Sequence, residues 1–240
     1  MSTTVDRHLR ELEHAARAGD HEAAVRWLVE RLRAGLLAEE RLRLAAHLEH
    51  PLAVAAAREA LNVAPKRRRL DSWIRLVGFP RLADWGRELP GWTALVQPVC
   101  VRAATVATEL ALPYWCSLRA FAYGEIDERD QAYLQDVVRL ARAWIDEPTP
   151  ANAQRMGSRS MGVWGGIAGA VGLELASTVC QPVAPGATSR HSQVQHTARS
   201  AAQVVKEAGD TLREEGEPED ALRDAIRAET IPWLLGELPG

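Results

Sequence analysis

The sequence predicts an all-α fold, a multi-helix bundle or helical-repeat-like array in which N-terminal helix pairs pack on a C-terminal bundle. Alanine and leucine are abundant while β-branched residues are sparse, and this composition favours helices. Apolar residues recur at three- and four-residue spacing along most of the chain, as on one face of a helix. No segment alternates apolar and polar residues over a sustained length, so we predict no sheet.

Composition and charge narrow the class of protein. The chain has 240 residues, of which 47% are hydrophobic and 25% are charged, the usual balance for a globular protein. Its net charge of −3 gives no general attraction to nucleic acid. The three cysteines, Cys100, Cys116 and Cys180, have no short spacing and are typical of buried thiols in a reducing compartment. The charged N-terminus does not resemble a signal peptide, so we predict a cytoplasmic protein.

The pattern divides the chain into three predicted domains. Residues 1–66 form a helical-repeat-like unit, and residues 67–98 form a connector rich in proline and tryptophan with short helices at 70–77 and 80–88. Residues 99–240 form a C-terminal bundle around a central glycine-rich helix. The basic run Lys66–Arg69 is interpreted as a solvated turn and not as a nucleic-acid site, because no wider basic face surrounds it.

The N-terminal unit contains a weak internal repeat. Four short helices are predicted within residues 6–62, with a break at Gly19-Asp20 and with Pro51 in the first turn of the fourth. The residues Leu12, Ala15 and Ala16 are matched by Leu42, Ala45 and Ala46 at an offset of 30. This is the length of one helix pair in proteins built from stacked helical repeats.

Helices are also predicted throughout the C-terminal part. The first begins near residue 91, and we expect Pro98 and Pro113 to bend or divide it. The second begins at Asp127 or Glu128 and ends before Pro148. Its predicted inner face consists of Leu134, Val137, Leu140, Ala141 and Trp144. The remaining predicted elements are a helix over 151–180, a loop over 181–190, and helices over 191–208 and 218–236.

The segment 161–180, MGVWGGIAGAVGLELASTVC, carries five glycines and a single charge. A phosphate-binding loop would need a preceding strand and a Gly-Lys-Ser/Thr sequence, and neither is present. A membrane span would need about 20 apolar residues, but glycine adds little hydrophobicity and Glu174 lies inside the segment. Glycines and alanines four residues apart stack on one helix face, so we predict a helix whose neighbours approach closely.

Two groups of residues are candidate binding sites. A pocket bordering the glycine-rich helix is a hypothesis based on polar groups in an apolar region: Arg155, Arg159, Trp164 and Glu174. The second candidate is an acidic patch within residues 200–240, which hold 10 acidic and 4 basic residues. A basic partner would be attracted to this patch, whose members are Glu207, Asp210, Glu214, Glu215, Glu217, Glu219 and Asp220.

No catalytic or metal-binding motif is evident, so we predict no catalytic residue, no metal site and no cofactor. His47 and His50 lie three residues apart, but a zinc site would need further ligands at suitable spacing. The sequence GSRSMG differs from the Gly-x-Ser-x-Gly nucleophile motif and does not follow a predicted strand.

Two further motifs precede and include the second predicted helix of the C-terminal part: RAATVATELALPYW, which ends in Trp115, and AYLQDVVRLARAWIDEPTPANAQ, which contains Trp144 and Pro148. On these motifs, residues 101–180 resemble a family of small helical immunity proteins from bacterial polymorphic toxin systems. The family's acid-rich stretch is not evident at 124–131. The resemblance implies a non-enzymatic, protein-binding function in which a partner toxin is neutralised by occlusion. The acidic patch favours a basic toxin domain as this partner. Two alternatives stay open: a helical scaffold in a bacterial complex, and a helical bundle that binds a small molecule or acts as an enzyme.

Overall fold

The structure, a computed structural model, is all-α, and every regular element in the residues it describes is helical. The described residues are 4–83, 85, 87–117, 128–160, 166–180 and 190–236. The chain forms two compact units. Unit 1 comprises Met1–Arg67, Pro80–Trp92 and Thr230–Gly240, and unit 2 comprises Arg68–Phe79 and Thr93–Glu229. The three predicted domains, 1–66, 67–98 and 99–240, stay a prediction.

Unit 1 is built from two consecutive helix pairs. The helices are α1 (Thr4–Arg17), α2 (His21–Arg33), α3 (Glu39–His47) and α4 (Pro51–Leu61). Helix α1 packs on α2, α3 packs on α4, and α2 joins the pairs by packing on α4. Asp20 begins α2 by accepting a hydrogen bond from the amide of Ala23 at 3.0 Å. Pro51 lies in the first turn of α4, as the sequence predicts.

The backbone of two turns in unit 1 matches at the offset of 30 residues that the sequence analysis noted. The amides of Gly19 and Glu49, 30 residues apart, bond to carbonyls three residues earlier at 3.0 and 2.9 Å. The amides of Asp20 and His50 both bond to carbonyls five residues earlier, at 3.1 Å. Gly19 has φ +90° and Glu49 has φ +64°, so both turns use a left-handed residue after the helix. The two helix pairs are therefore joined by the same kind of turn.

The predicted helix at 80–88 is wrong. Residues 80–83 and Trp85 lie in turns, although the first predicted connector helix is present as α5 (Leu70–Arg75) followed by a 3₁₀ turn at Leu76–Gly78. The Trp85 side chain is 1% exposed, and its ring meets the Trp92 ring edge-on with centroids 6.1 Å apart. The Trp85 carbonyl accepts a hydrogen bond from Arg43 Nη1 at 2.7 Å. These tertiary contacts hold the segment in a non-helical conformation.

Unit 2 contains most of the remaining helices. They are α6 (Trp92–Ser117), α7 (Glu128–Asp146), α8 (Pro150–Ser160), α9 (Gly166–Cys180), α10 (Arg190–Glu214) and α11 (Glu219–Leu235). The first residue of α6 and the last residues of α11, from Thr230 onward, belong to unit 1. The predicted helices at 191–208 and 218–236 are confirmed as α10 and α11. All five residues of the predicted inner face of α7 are buried. Helix α9 packs on α7, α8 and α10.

Helix α6 continues through both of its prolines. Of the two expected effects of Pro98 and Pro113, bending or division, division does not occur, although each proline removes one backbone donor. Every residue from 99 to 108 is buried, so α6 is enclosed around its whole circumference over that stretch. Burial of these side chains explains the continuity, because tertiary packing supplies most of a helix's stability.

Within the described residues, one helical stretch is long and apolar enough to cross a membrane, namely Trp92–Trp115 of α6. This stretch contains Arg102 and Glu109, and 72% of the apolar window is buried inside the protein. A core helix of a helical bundle has the same length and composition.

The predicted single helix over 151–180 is also wrong. The Cys180 thiol donates a hydrogen bond to the Ala153 carbonyl, with 3.3 Å between sulfur and oxygen. In one straight helix these residues would lie about 40 Å apart. The segment instead contributes two helices, α8 and α9, that pack side by side. Residues 161–165 lie outside the described residues, as does 181–189 of the predicted loop, and Arg190 already belongs to α10.

Candidate functional site

A cavity of about 700 Å³ lies between α9 and α10. Both helices belong to unit 2, and we refer to this feature as the α9–α10 cavity. Its wall includes residues from four positions on α9 and six on α10. They are Ala170, Val171, Leu173, Glu174, His196, Arg199, Ser200, Gln203, Val204 and Glu207.

Helical periodicity explains why these residues share one cavity. On α10 they recur at spacings of three and four residues from 196 to 207, so they form one stripe along the helix. Val171, Ser200 and Val204 are buried, with 2%, 3% and 0% of their surface exposed, and they form a predominantly apolar floor. Leu173 is 54% exposed at the edge of the cavity. The cavity therefore combines a buried floor with an opening to solvent.

Charged and polar side chains surround this floor. Glu207 accepts a hydrogen bond from Gln203 Nε2 at 2.6 Å. The guanidinium carbon of Arg199 lies 5.5 Å from the centre of the Phe79 ring, a cation–π contact that limits where this charge can move. His196 is exposed on the same face of α10, and Glu174 is half-buried on α9. The rim thus offers hydrogen-bond donors and acceptors to a ligand, together with side chains of positive and negative charge.

The predicted close approach to the glycine-rich helix is confirmed at Gly172. A β-carbon at this position would lie 2.8 Å from the phenolic oxygen of Tyr133 on α7. Tyr133 is 1% exposed, and burial raises the pKa of its hydroxyl, with a smaller opposing effect from Arg159. The hydroxyl has no hydrogen-bond partner among the described residues. Gly169 is buried as well, while Gly162 and Gly165 lie outside the described residues.

The structure does not bring the four predicted pocket residues together in one site. Glu174 lines the α9–α10 cavity. Arg159 contacts α7 instead: its Nε lies 3.2 Å from Asp136 Oδ2, and its guanidinium carbon lies 5.2 Å from the centre of the Tyr133 ring. Arg155 is exposed on α8, and Trp164 lies outside the described residues. The structure therefore associates Arg159 with α7, and Glu174 with the cavity that α9 forms with α10.

Several predicted acidic-patch residues are engaged by groups of the same chain. Asp210 lies 2.9 Å from both Lys206 Nζ and Arg213 Nη1, and Glu219 accepts a hydrogen bond from Arg223 at 2.8 Å. Asp220 lies 4.0 Å from Arg223 Nε. A further contact joins Glu217 to the Tyr114 hydroxyl at 3.0 Å.

The exposed part of the acidic patch is concentrated between α10 and α11. Glu214 is the last residue of α10, Glu215 lies in the turn after it, and Glu217 follows that turn. All three side chains are exposed. Glu207 belongs to the cavity rather than to this turn. The seven residues therefore do not form one uniform surface.

Metal ligation finds no support in the part of the chain that is described. No group of three or more His, Cys, Asp or Glu residues there is arranged to hold an ion. His47 is completely buried, and His50 lies at the start of α4.

The sequence analysis did not single out Arg199 and Gln203 as site residues. Their signal is the stripe on α10, where polar residues flank Ser200 and Val204 at helical spacing. That stripe is also typical of an ordinary exposed helix face, and it becomes a site only because α9 lies beside it. Comparison of the chain with models of protein families, with curated proteins and with solved structures found no match. The resemblance of residues 101–180 to immunity proteins stays a prediction.

Proposed function

We propose that this protein binds a small organic molecule in the α9–α10 cavity. The observation that carries the proposal is a cavity of about 700 Å³ with a buried, mainly apolar floor and a charged rim. Binding sites for small molecules have volumes of roughly 300–1,000 Å³ and combine an apolar lining with a few polar groups. In this arrangement the floor supplies affinity by removing apolar surface from water. The rim orients the ligand through hydrogen bonds and charge.

The proposal is tested with N-phenyl-1-naphthylamine, an uncharged probe whose fluorescence rises when it leaves water. We expect saturable binding to the full chain. Ala170 is exposed on the cavity wall, so the Ala170→Phe variant should fill the cavity without straining the core and should lose most of the probe binding.

Ala228→Phe provides the matched control, because Ala228 is exposed on α11, outside the cavity lining. It should bind the probe as well as the unmodified chain. Equal binding by the Ala170→Phe and Ala228→Phe variants, or no binding by the unmodified chain, would refute the proposal.

A second candidate is a protein-binding function of the immunity type, with a basic toxin domain as the partner. The observation that favours it is the exposure of Glu214, Glu215 and Glu217 around one turn. Carboxylates at the rim of an interface accelerate encounter with a basic partner. The test is co-expression with a toxin encoded beside this gene. The candidate is supported if the unmodified protein restores growth and the variant with all three glutamates changed to lysine does not. Growth arrest in the presence of the unmodified protein excludes it.

A further inference from the structure

The charges on the rim of the α9–α10 cavity are unequal. Glu174 contributes a carboxylate from α9 and Glu207 contributes one from α10, while Arg199 contributes the guanidinium among the lining residues. With His196 counted as neutral, the lining residues therefore carry a net charge of −1. Both glutamates are half-buried, so their charges are screened less by water than those of fully exposed residues.

The two carboxylates are weakly neutralised, whereas Asp210 of α10 lies 2.9 Å from both Lys206 Nζ and Arg213 Nη1. Glu174 forms no ion pair with any residue that the structure describes. The cation nearest to Glu207 is Lys206, at 3.8 Å, and that ammonium is held more closely by Asp210 at 2.9 Å. Glu207 otherwise accepts from the uncharged amide of Gln203. Acceptor capacity is therefore left for a cationic ligand.

Arg199 is less well placed to select an anion. Its guanidinium carbon lies 5.5 Å from the centre of the Phe79 ring, where the negative face of the ring already interacts with the positive charge. Its side chain is also exposed, so solvent screens its attraction for a ligand.

We infer that the ligand of the α9–α10 cavity is an amphipathic organic cation, with an apolar body over Val171 and Val204 and an ammonium group beside Glu174 and Glu207. This inference rests on the proposed function and specifies the chemical class of its ligand. An ammonium that leaves bulk water needs charged or polar acceptors to replace its hydration. Hydrogen bonds between ammonium and carboxylate are about twice as strong as those between neutral groups. The two glutamates meet this requirement beside an apolar floor.

The test is isothermal titration of the full chain with three probes of the same shape: 4-phenylbutylamine, 4-phenylbutanol and 4-phenylbutyrate. We expect the amine to bind about tenfold more tightly than the alcohol, which corresponds to one charge-assisted hydrogen bond. The carboxylate should bind most weakly.

Substitution of the two glutamates tests whether they cause the preference for the amine over the alcohol. Glu174→Gln and Glu207→Gln should each weaken amine binding several-fold and leave alcohol binding unchanged. Glu214→Gln is the matched control, because Glu214 is exposed on the same helix but does not line the cavity. It should leave binding of all three probes unchanged.

The outcomes separate the two proposals. Equal binding of amine and alcohol, or tightest binding of the carboxylate, would overturn the inference about charge while ligand binding itself stands. A preference for the amine that survives both glutamine substitutions would also overturn it. Binding of none of the three probes, together with failure of the uncharged fluorescent probe, would remove the proposed function as well.

Discussion

Gly172 of α9 lies directly against the ring of Tyr133 on α7, and a β-carbon at position 172 would lie only 2.8 Å from the Cζ atom of that ring. The tyrosine is buried and has little room to move. The glycine therefore fixes the distance between α7 and α9. Helix α9 also lines the α9–α10 cavity, so this contact positions one wall of the cavity.

This contact predicts opposite effects for alanine at two helical glycines. Gly172→Ala should lower the free energy of unfolding by about 1–3 kcal/mol, because overpacking against Tyr133 exceeds the gain in helix propensity. Gly157→Ala should raise it by up to about 1 kcal/mol, because its β-carbon would make an ordinary 3.5 Å contact with Cys180 Sγ. Urea unfolding measures both changes. Equal effects of the two substitutions would contradict the close approach at Gly172.

A second prediction concerns the ion pairs that join α6, α7 and α11 in unit 2. Arg142 binds both oxygens of Glu109, at 2.9 and 2.6 Å, and its Nη1 lies 2.8 Å from Glu229. We expect a double-mutant cycle of Arg142→Met and Glu109→Gln to give a coupling energy of about 1–2 kcal/mol, because the pair is bidentate and partly buried.

The control cycle uses Arg33 and Glu30, which lie 2.6 Å apart with side chains that are 61% and 31% exposed. Its coupling energy should be about 0.5 kcal/mol or less. A coupling at Arg142–Glu109 no larger than this control would show that the three-helix ion cluster adds little to stability.

The third prediction concerns the pH dependence of stability at Asp210. Burial would raise the pKa of this carboxyl group, but hydrogen bonds from Lys206 and Arg213 outweigh burial and lower the pKa below its ordinary value. A lowered pKa in the folded state stabilises the protein above the unfolded pKa of about 3.9, and this stabilisation is lost as pH falls through the folded value. Because the pair is partly exposed, the effect should be below about 1 kcal/mol.

Asp210→Asn should therefore reduce the free energy of unfolding near neutral pH, and its difference from the unmodified chain should shrink in acid. Glu214→Gln, at an exposed position on the same helix, is the control and should change little at either pH. A constant Asp210→Asn effect across the acid range would contradict the assignment.

The fourth prediction concerns cysteine reactivity. Burial raises the pKa of both the Cys100 and the Cys180 thiols, and Cys100 is completely buried while Cys180 is half-buried. In a Cys116→Ser background, iodoacetamide should therefore modify Cys180 faster than Cys100, with both slower than a free thiol. Peptide mass spectrometry gives the two rates. As a control, Cys100 and Cys180 should be modified at similar rates in the protein unfolded by urea. Faster modification of Cys100 than of Cys180 in the native protein would contradict the burial of Cys100.

Local signals predicted much of the fold. The inner face of α7 was predicted because its apolar residues follow helical spacing, and Pro51 marks the start of α4 because a proline suits the first helical turn. The offset of 30 predicted the repeated turn, although a left-handed Glu49 in place of a second glycine gives no clear local signal.

The wrong predictions depend on contacts between distant residues. Trp85 is held in a turn by Trp92 and Arg43, and nothing in residues 80–88 alone reveals this. Likewise, Cys180 contacts Ala153, so the alanine- and glycine-rich segment folds back although its composition suits one helix.

The candidate site was predictable only in part for the same reason. Glu174 was singled out because a charge in an apolar segment is unusual, and it lines the cavity. Arg159 is also a charged residue near that apolar segment, and the sequence alone supports it equally well, but it contacts Tyr133 instead. Which helix packs beside α9 decides between them, and that pairing is a property of the whole bundle.

The central claim is that the α9–α10 cavity binds a small organic molecule over its apolar floor, and a crystal structure of the full chain with bound 4-phenylbutylamine tests it most directly. The account predicts density for the phenyl ring over Val171 and Val204, with the nitrogen within hydrogen-bonding distance of Glu174 or Glu207. Density for the probe elsewhere on the chain, with this cavity filled only by water, would contradict it.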